Sequence, residues 1–299
     1  MSKKPKVIAI VGPTASGKTS LSIAIAKQFS GEIISADSRQ VYQGMNLGTG
    51  KVTKEEMAGV PHHLLDIAKP MDVYTGSDFV KDATVALEEI KMRNHLPIVA
   101  GGTFFYLDLL RGKMQSVPVA PNETFRASIA DLSTATLLEM LYKKDPQRAA
   151  TIDSANRRRV IRALEIIDAL GAVPLYTPTE SPYEWLILGT EITPEALHHN
   201  IKARLQERIN AGMIEEVAQL HEDGVSYERL DDLGLEYRYI AKYLQGTLTK
   251  DEMLEQLETK SRQFAKRQLT WLKRDNEIEW FPPKSHEMIF RFVESFLTE

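Results

Sequence analysis

Val7-Ile8-Ala9-Ile10-Val11 runs without interruption into Gly12-Pro13-Thr14-Ala15-Ser16-Gly17-Lys18-Thr19, and this junction constrains the chain more than any other feature. Four of the first five residues are β-branched, the pattern of a strand buried on both faces of a parallel sheet. The apolar spacing of Leu21, Ile23, Ala24, Ile25 and Phe29 predicts a helix immediately after the loop. A strand, a Gly-x-x-x-x-Gly-Lys-Thr loop and a helix in that order form a phosphate-binding P-loop. Successive backbone N–H groups make a concave anion site, reinforced by the positive end of the helix dipole. Lys18 adds a full charge, and the Thr19 hydroxyl is a candidate ligand for a magnesium ion (Mg2+) bridging phosphate oxygens. Side chains at Gly12 or Gly17 would obstruct the backbone's approach to phosphate. The chain binds a polyphosphate.

Its 299 residues predict two domains, or one with a large insertion. Further short apolar strands are expected at 32–36, 97–100, 186–189 and 278–281, and helical patterns at 78–93, 194–219, 234–244 and 250–273. Alternation of strands and helices predicts an α/β fold: a P-loop NTPase-like parallel sheet core with helices on both faces. Between Val117 and Pro182 no strand pattern occurs, and prolines at 118, 121, 174, 178 and 182 bound the stretch. It reads as an all-helical insertion domain. The expected division is 1–117 for the first part of the core, 118–183 for the insertion, and 184–299 for the second part with a basic C-terminal helix.

Hydrophobic residues make up 43% of the chain, ample for a core, and no window approaches a membrane span. The basic start resembles a leader, but its apolar run is only residues 7–11 and reads as a core strand. No cysteine is present, which excludes disulfides, thiolate nucleophiles and cysteine-ligated zinc and suits a cytoplasmic protein. The net charge is −4, yet cations cluster. Lys260, Arg262, Lys266, Arg267, Lys273 and Arg274 occur with no acid between 260 and 274, and Arg157-Arg158-Arg159 with Arg162 form a second acid-free group. Two such groups in an acidic chain point to a localised phosphate-binding surface, with RNA or DNA as partner; each alone could be an ordinary solvated helix face.

Chemistry in open α/β sheets lies beyond the carboxyl ends of the strands, here the loops 12–19, 37–40 and 101–103. Asp37 at a strand end near a phosphate loop could bind metal, act as a general base, or cap a turn. The third loop favours the base. Where a P-loop ATPase carries a metal-supporting Asp, this chain has Gly101-Gly102-Thr103, and no Asn-Lys-x-Asp for guanine is present. His62 and His63 lack a spaced third ligand, so they read as turn or channel residues.

Several motifs together resemble tRNA dimethylallyltransferases, also called tRNA isopentenyltransferases. They are the P-loop, Ile34-Ser35-Ala36-Asp37-Ser38-Arg39-Gln40-Val41-Tyr42, the segment Met45–Lys51, Pro61–Asp66, Gly101-Gly102-Thr103, Asn156–Glu165 and Arg262–Trp271. The resemblance spans residues 12 to 271. It departs at Gly234-Leu235-Glu236-Tyr237, where the family has Gly-Tyr-Lys-Glu, and at Phe104-Phe105 in place of Gly-Leu; these departures are expected to alter local packing only.

The resemblance implies that a dimethylallyl group moves from dimethylallyl diphosphate to N6 of the adenosine 3′-adjacent to a tRNA anticodon, releasing diphosphate. Gly12, Pro13, Thr14, Ala15, Ser16, Gly17, Lys18, Thr19 and Arg204 would hold the diphosphate, with Mg2+ at Thr19. Asp37 would accept the N6 proton, and Thr103 would hydrogen-bond the bridging oxygen. Asp37, Ser38, Arg39, Gln40, Thr103, Arg126, Asn156, Arg157, Arg158, Arg159, Val160, Arg262, Lys266 and Arg267 would contact tRNA. No membrane and no obligatory protein partner is implied, and a monomer suffices. Three alternatives stay open on the residues: a small-molecule kinase, an isopentenyltransferase acting on free adenine nucleotides, and a non-catalytic RNA-binding protein. Asn156 could equally cap a helix, Arg159 and Arg162 could pair with Glu165 and Asp168, and Phe264 and Trp271 read as core-facing.

Overall fold

The computed structural model describes residues 3–282 and 284–299. Strand β1, Lys6–Val11, has no solvent-facing side: Val7, Ala9 and Val11 enter one apolar cluster, Ile8 and Ile10 another. That period of two is what a strand rich in β-branched residues gives when both faces are covered. The other strands are β2 (Gly31–Ser35), β3 (His62–His63), β4 (Leu96–Ala100), β5 (Glu184–Thr190) and β6 (Ile278–Phe281). They form one six-stranded sheet in the order β3-β2-β4-β1-β5-β6, with every recorded pairing parallel.

The helix Lys18–Gln28 and the helix His286–Thr298 cover one face through Leu21, Ile25, Ile289 and Val293. Gly76–Met92, Phe104–Leu110 and the end of Lys250–Leu272 cover the other, with Phe79 stacked on Tyr106 at 4.4 Å. A further core joins Val41, Tyr42 and Met45 to the helices Met213–Glu222, Tyr227–Asp232, Leu235–Leu244 and Lys250–Leu272.

The sequence misses β3, whose two residues are too few to carry a period. It is held because Glu32, buried on β2, accepts from Arg93 Nε and Nη2 at 2.8 Å each and meets His63 Nε2 and His95 Nδ1 at 2.6 Å each. The Arg93 guanidinium, with His63 and His95, holds the Glu32 carboxyl down to about 2 against the opposing effect of burial. His62 Nδ1 meets the Val60 carbonyl at 2.9 Å. The two histidines therefore close the sheet edge, and among the described residues no group of three or more His, Asp or Glu side chains could hold a metal ion. The helix expected over 194–219 is two, Pro194–Asn210 and Met213–Glu222, broken at Gly212, whose φ of 101° a helix interior does not accept.

The chain divides into residues 1–112 with 180–299, and 113–179, so the smaller unit begins and ends a few residues before the 118–183 that the sequence predicts. The smaller unit contains the helices Glu123–Ser128, Thr134–Lys144, Pro146–Thr151 and Arg157–Leu170 around Leu137, Leu141, Val160 and Leu164. Among the described residues no helix is long and apolar enough to cross a membrane.

Candidate active site at the carboxyl edge of the sheet

The P-loop leaves β1 and turns into the Lys18–Gln28 helix at Gly17, whose φ is 90°. Gly12 is required by close packing: a Cβ there would lie 2.0 Å from Thr190 Oγ1 and 2.7 Å from Ser16 Oγ. Those two hydroxyls are themselves hydrogen-bonded at 2.6 Å, so the end of β5 buttresses the loop. Asn200 Nδ2 donates to the Ala15 carbonyl at 3.1 Å, and Ala15 packs on Leu197, Ile201 and Ala265.

Gln268, 7% exposed, ties two of the three strand-end loops together. Its Oε1 accepts the Thr14 N–H at 2.8 Å and its Nε2 donates to the Gly102 carbonyl at 2.9 Å. The loop after β4 in turn abuts the loop after β2. A Cβ on Gly101 would fall 2.1 Å from the Ala36 carbonyl oxygen, so only glycine permits the approach. Thr103 Oγ1 accepts the Ser38 N–H at 3.0 Å and donates to Ser38 Oγ at 3.2 Å.

Asp37 closes an Asx turn, its Oδ1 accepting from the N–H groups of Arg39 at 2.9 Å and Gln40 at 3.4 Å. Its Oδ2 lies towards Gly102. The turn role and a base role are compatible, since each uses a different oxygen. Lys18 donates to the Pro13 carbonyl at 2.6 Å. Burial, then the positive charge of Arg204, lowers the Lys18 amine to about 7, opposed by the Asp37 carboxylate. Burial first, and Arg208 second, lower Arg204 to about 10. A lysine of the P-loop and an arginine of the Pro194–Asn210 helix, both held below their ordinary values by burial and by like charge, mark a place suited to an anion.

Between the loop after β2 and this cation group runs the segment 46–51. Glu216 accepts the N–H groups of Asn46, Leu47 and Gly48 at 2.9, 2.7 and 3.0 Å, and the Tyr237 hydroxyl at 2.7 Å. Gln40 Nε2 donates to the Gly50 carbonyl at 3.3 Å. Glu236 stands here too. Burial raises its carboxyl against the pull of Arg208, with Asp37 and Arg204 in electrostatic reach. The Gly-Leu-Glu-Tyr departure thus reaches the site, contrary to the expectation that it alters local packing alone: Tyr237 braces the 46–48 segment and Glu236 faces the cations. The sequence singles out none of Gln268, Glu216, Arg208 and Glu236 as site residues, although Gln268 lies within the Arg262–Trp271 motif.

The candidate RNA residues differ in their surroundings. On the Lys250–Leu272 helix, Lys266 and Arg267 are exposed, Arg267 lying over the Phe264 ring at 5.8 Å, while Arg262 is 3.9 Å from Glu258. Phe264 is 40% exposed and so is not core-facing, whereas Trp271 packs on the core and donates to Asp108 at 3.0 Å. In the smaller unit Val160 is fully buried, which removes its side chain from any contact with RNA. Arg157 donates to the carbonyls of Ile129, Ala130 and Leu132. Arg126 Nε meets the buried Glu165 at 2.7 Å and Arg162 meets it at 3.3 Å. Burial opposes ionisation of Glu165, but Arg126, the Asn122 N–H and Arg162 outweigh it and keep the carboxyl low. Arg126 and Arg157 therefore hold this unit together, Asn156 caps its last helix by accepting the Arg159 N–H at 3.2 Å, and Arg158 and Arg159 remain exposed.

For magnesium, the donor at the P-loop is the exposed Thr19 hydroxyl, and among the described residues no group of three or more histidines and carboxylates accompanies it. That fits an ion held mostly through phosphate oxygens and water.

The family model for IPP transferase matches residues 40–275. A tRNA dimethylallyltransferase of Shouchella clausii is 39% identical over 99% of this chain and 98% of its own length. A tRNA dimethylallyltransferase 2 of Treponema denticola is 44% identical over 92% and 93% respectively. Among solved structures, the tRNA isopentenylpyrophosphate transferase of Bacillus halodurans superposes with a TM-score of 0.75 at 36% identity, covering 99% of this chain and 97% of that one. A eukaryotic dimethylallyltransferase acting on tRNA gives a TM-score of 0.84 at 26% identity, over 98% and 80%.

Proposed function

The chain belongs to the IPP transferase family of tRNA dimethylallyltransferases, and from that membership we propose how its residues carry the reaction. It is an enzyme that transfers a dimethylallyl group to an adenosine in tRNA. We assign the acceptor as N6 of the adenosine 3′-adjacent to the anticodon and the donor as dimethylallyl diphosphate, seated in the P-loop with Lys18 and Arg204. The observation that carries this reading is the chain of contacts from the P-loop to the Asp37 loop, Gln268 bonding Thr14 to Gly102 and Thr103 bonding Ser38.

In the transfer, the C1–O bond of the donor breaks and its electron pair leaves with the diphosphate. The N6 lone pair forms the new N–C bond, and the N6 proton passes to Asp37 Oδ2. An aromatic amine is a weak nucleophile, so a positioned base contributes ~10²–10⁴-fold. Lys18, Arg204 and the loop N–H groups stabilise the charge growing on the leaving diphosphate. A magnesium ion at Thr19 would, when bound, neutralise part of that charge. The Thr103 hydroxyl, engaged with Ser38, orients the Asp37 loop and is the group we assign to the bridging oxygen. The adenine must leave its stack to reach Oδ2. We assign the exposed Arg159, Lys266 and Arg267 to phosphates of the tRNA. A cytoplasmic monomer without a membrane or protein partner is in keeping with this activity.

The test incubates the enzyme, magnesium and labelled dimethylallyl diphosphate with unmodified tRNA, then digests the RNA. Label on one adenosine beside the anticodon, and none on AMP offered instead, is the expected result. Label on AMP and none on tRNA would overturn the acceptor assignment.

A further inference from the structure

The Pro194–Asn210 helix places Asn200, Arg204 and Arg208 at successive i, i+4 positions, so one of its faces steps away from the P-loop by about 6 Å per residue named. Asn200 reaches the Ala15 carbonyl, Arg204 stands in electrostatic contact with Lys18, and Arg208 comes last. Arg208 closes over Gly50. A Cβ at that glycine would lie 1.8 Å from Arg208 Nη2 and 3.0 Å from Arg204 Nη2, so both guanidinium tips share the space above a single Cα. Gly50 is itself bonded to Gln40, three residues beyond Asp37.

Two guanidinium groups so close repel each other, and their mutual effect is one of the causes that lower Arg204. The nearest carboxylate to Arg208 is Glu236, at 3.8 Å and without a hydrogen bond of normal length. Burial of Glu236 works against its charge, while Arg208 and Arg204 favour it. Lys18, Arg204 and Arg208 thus follow one another along the edge of the P-loop, with Asp37, Glu236, Glu56 and Glu207 the carboxylates in electrostatic reach of this series.

We propose that Arg208 is a second guanidinium contact for the diphosphate of the prenyl donor, and that Glu236 holds it over Gly50 while no diphosphate is bound. The proposal rests on the donor reading given above. Arg204 and Arg208 then act as a pair facing the P-loop amides and Lys18, with the diphosphate between. Glu236 competes with the substrate for Arg208, so the two residues have opposite effects on affinity.

The experiment measures binding of inorganic diphosphate by titration calorimetry, with magnesium, to wild type, Arg208→Gln, Arg208→Lys and Glu236→Gln, together with KM for dimethylallyl diphosphate and for tRNA. Loss of one charge-assisted contact is worth about tenfold or more. Arg208→Gln is expected to weaken diphosphate and raise KM for the donor by that factor, with KM for tRNA held within about twofold. Arg208→Lys falls between, and Glu236→Gln binds diphosphate several-fold more tightly. Unchanged diphosphate binding in Arg208→Gln, or weakening by both Arg208→Gln and Glu236→Gln, would show a purely structural pair and overturn the proposal. A wild-type enzyme that binds no diphosphate while still modifying tRNA would instead overturn the donor reading, and the proposal with it.

Discussion

Gln268 is the residue whose removal most directly separates the two halves of the site. Its amide satisfies the Thr14 N–H at 2.8 Å and the Gly102 carbonyl at 2.9 Å from a position 7% exposed. In Gln268→Ala both bonds go, at about 1 kcal/mol each, and the two backbone groups must find water in a confined space. The sum with the lost packing is about 3 kcal/mol. Activity falls further than stability, because the P-loop and the Gly101–Thr103 loop lose their common reference, and displacements near 1 Å cost about 10²-fold in rate. Gln268→Glu is the informative companion. Its carboxylate still accepts from Thr14 but cannot donate to Gly102, and it sets a negative charge beside the anion site. Urea unfolding gives the stability change, and single-turnover prenyl transfer gives the rate. Gln268→Glu is expected to retain more stability than Gln268→Ala but to bind inorganic diphosphate more weakly. If Gln268→Ala unfolded within about 0.5 kcal/mol of wild type and transferred the prenyl group at a wild-type rate, the bridge would have no role and the reasoning would fail.

Three further outcomes are expected. Glu216→Gln turns an amide N–H₂ towards the N–H groups of 46–48, so it loses about 3 kcal/mol by denaturant titration and raises KM for the donor. Glu32, held at about 2 against an ordinary 4.5, has a depressed folded-state value; its stabilisation is complete above pH 4.5 and is lost as pH falls towards 2. The shift corresponds to about 3 kcal/mol, so acid unfolding of Glu32→Gln should show a shallower pH dependence across that window. Lys18, lowered to about 7, is largely neutral at pH 8 and must gain a proton when diphosphate binds. Calorimetry in buffers of different ionisation enthalpy should show a proton uptake in wild type that Lys18→Arg lacks, since a guanidinium stays charged.

The parts of this molecule that sequence exposes are those encoded locally. The P-loop, the five longer strands and the Asx turn at Asp37 each lie within a dozen consecutive residues, and periodicity or turn chemistry reports them. The two-residue β3 is invisible because its existence depends on Glu32 and Arg93 rather than on its own pattern. Gln268 and Glu216 are invisible as site residues for a related reason: each acts on backbone groups 254 and about 170 positions away, and neither residue type announces such a partner. Val160 and Arg157 show the reverse error. A basic motif suggested a surface, but one residue fills the core of the helical unit and the other is spent on its carbonyls. Glu236 stands out in the sequence as a departure from the family pattern, but only the fold brings it to 3.8 Å from Arg208.

The central claim is that Asp37 Oδ2 takes the N6 proton while Oδ1 holds the turn. Asp37→Asn separates the two, since the amide oxygen can keep the Arg39 and Gln40 N–H bonds while the amide nitrogen cannot accept a proton. The measurement is single-turnover prenyl transfer to tRNA by Asp37→Asn beside its tRNA affinity. A rate reduced by ~10² or more with tRNA binding within about threefold of wild type is the predicted result. A near-normal rate would contradict the account and move the base elsewhere.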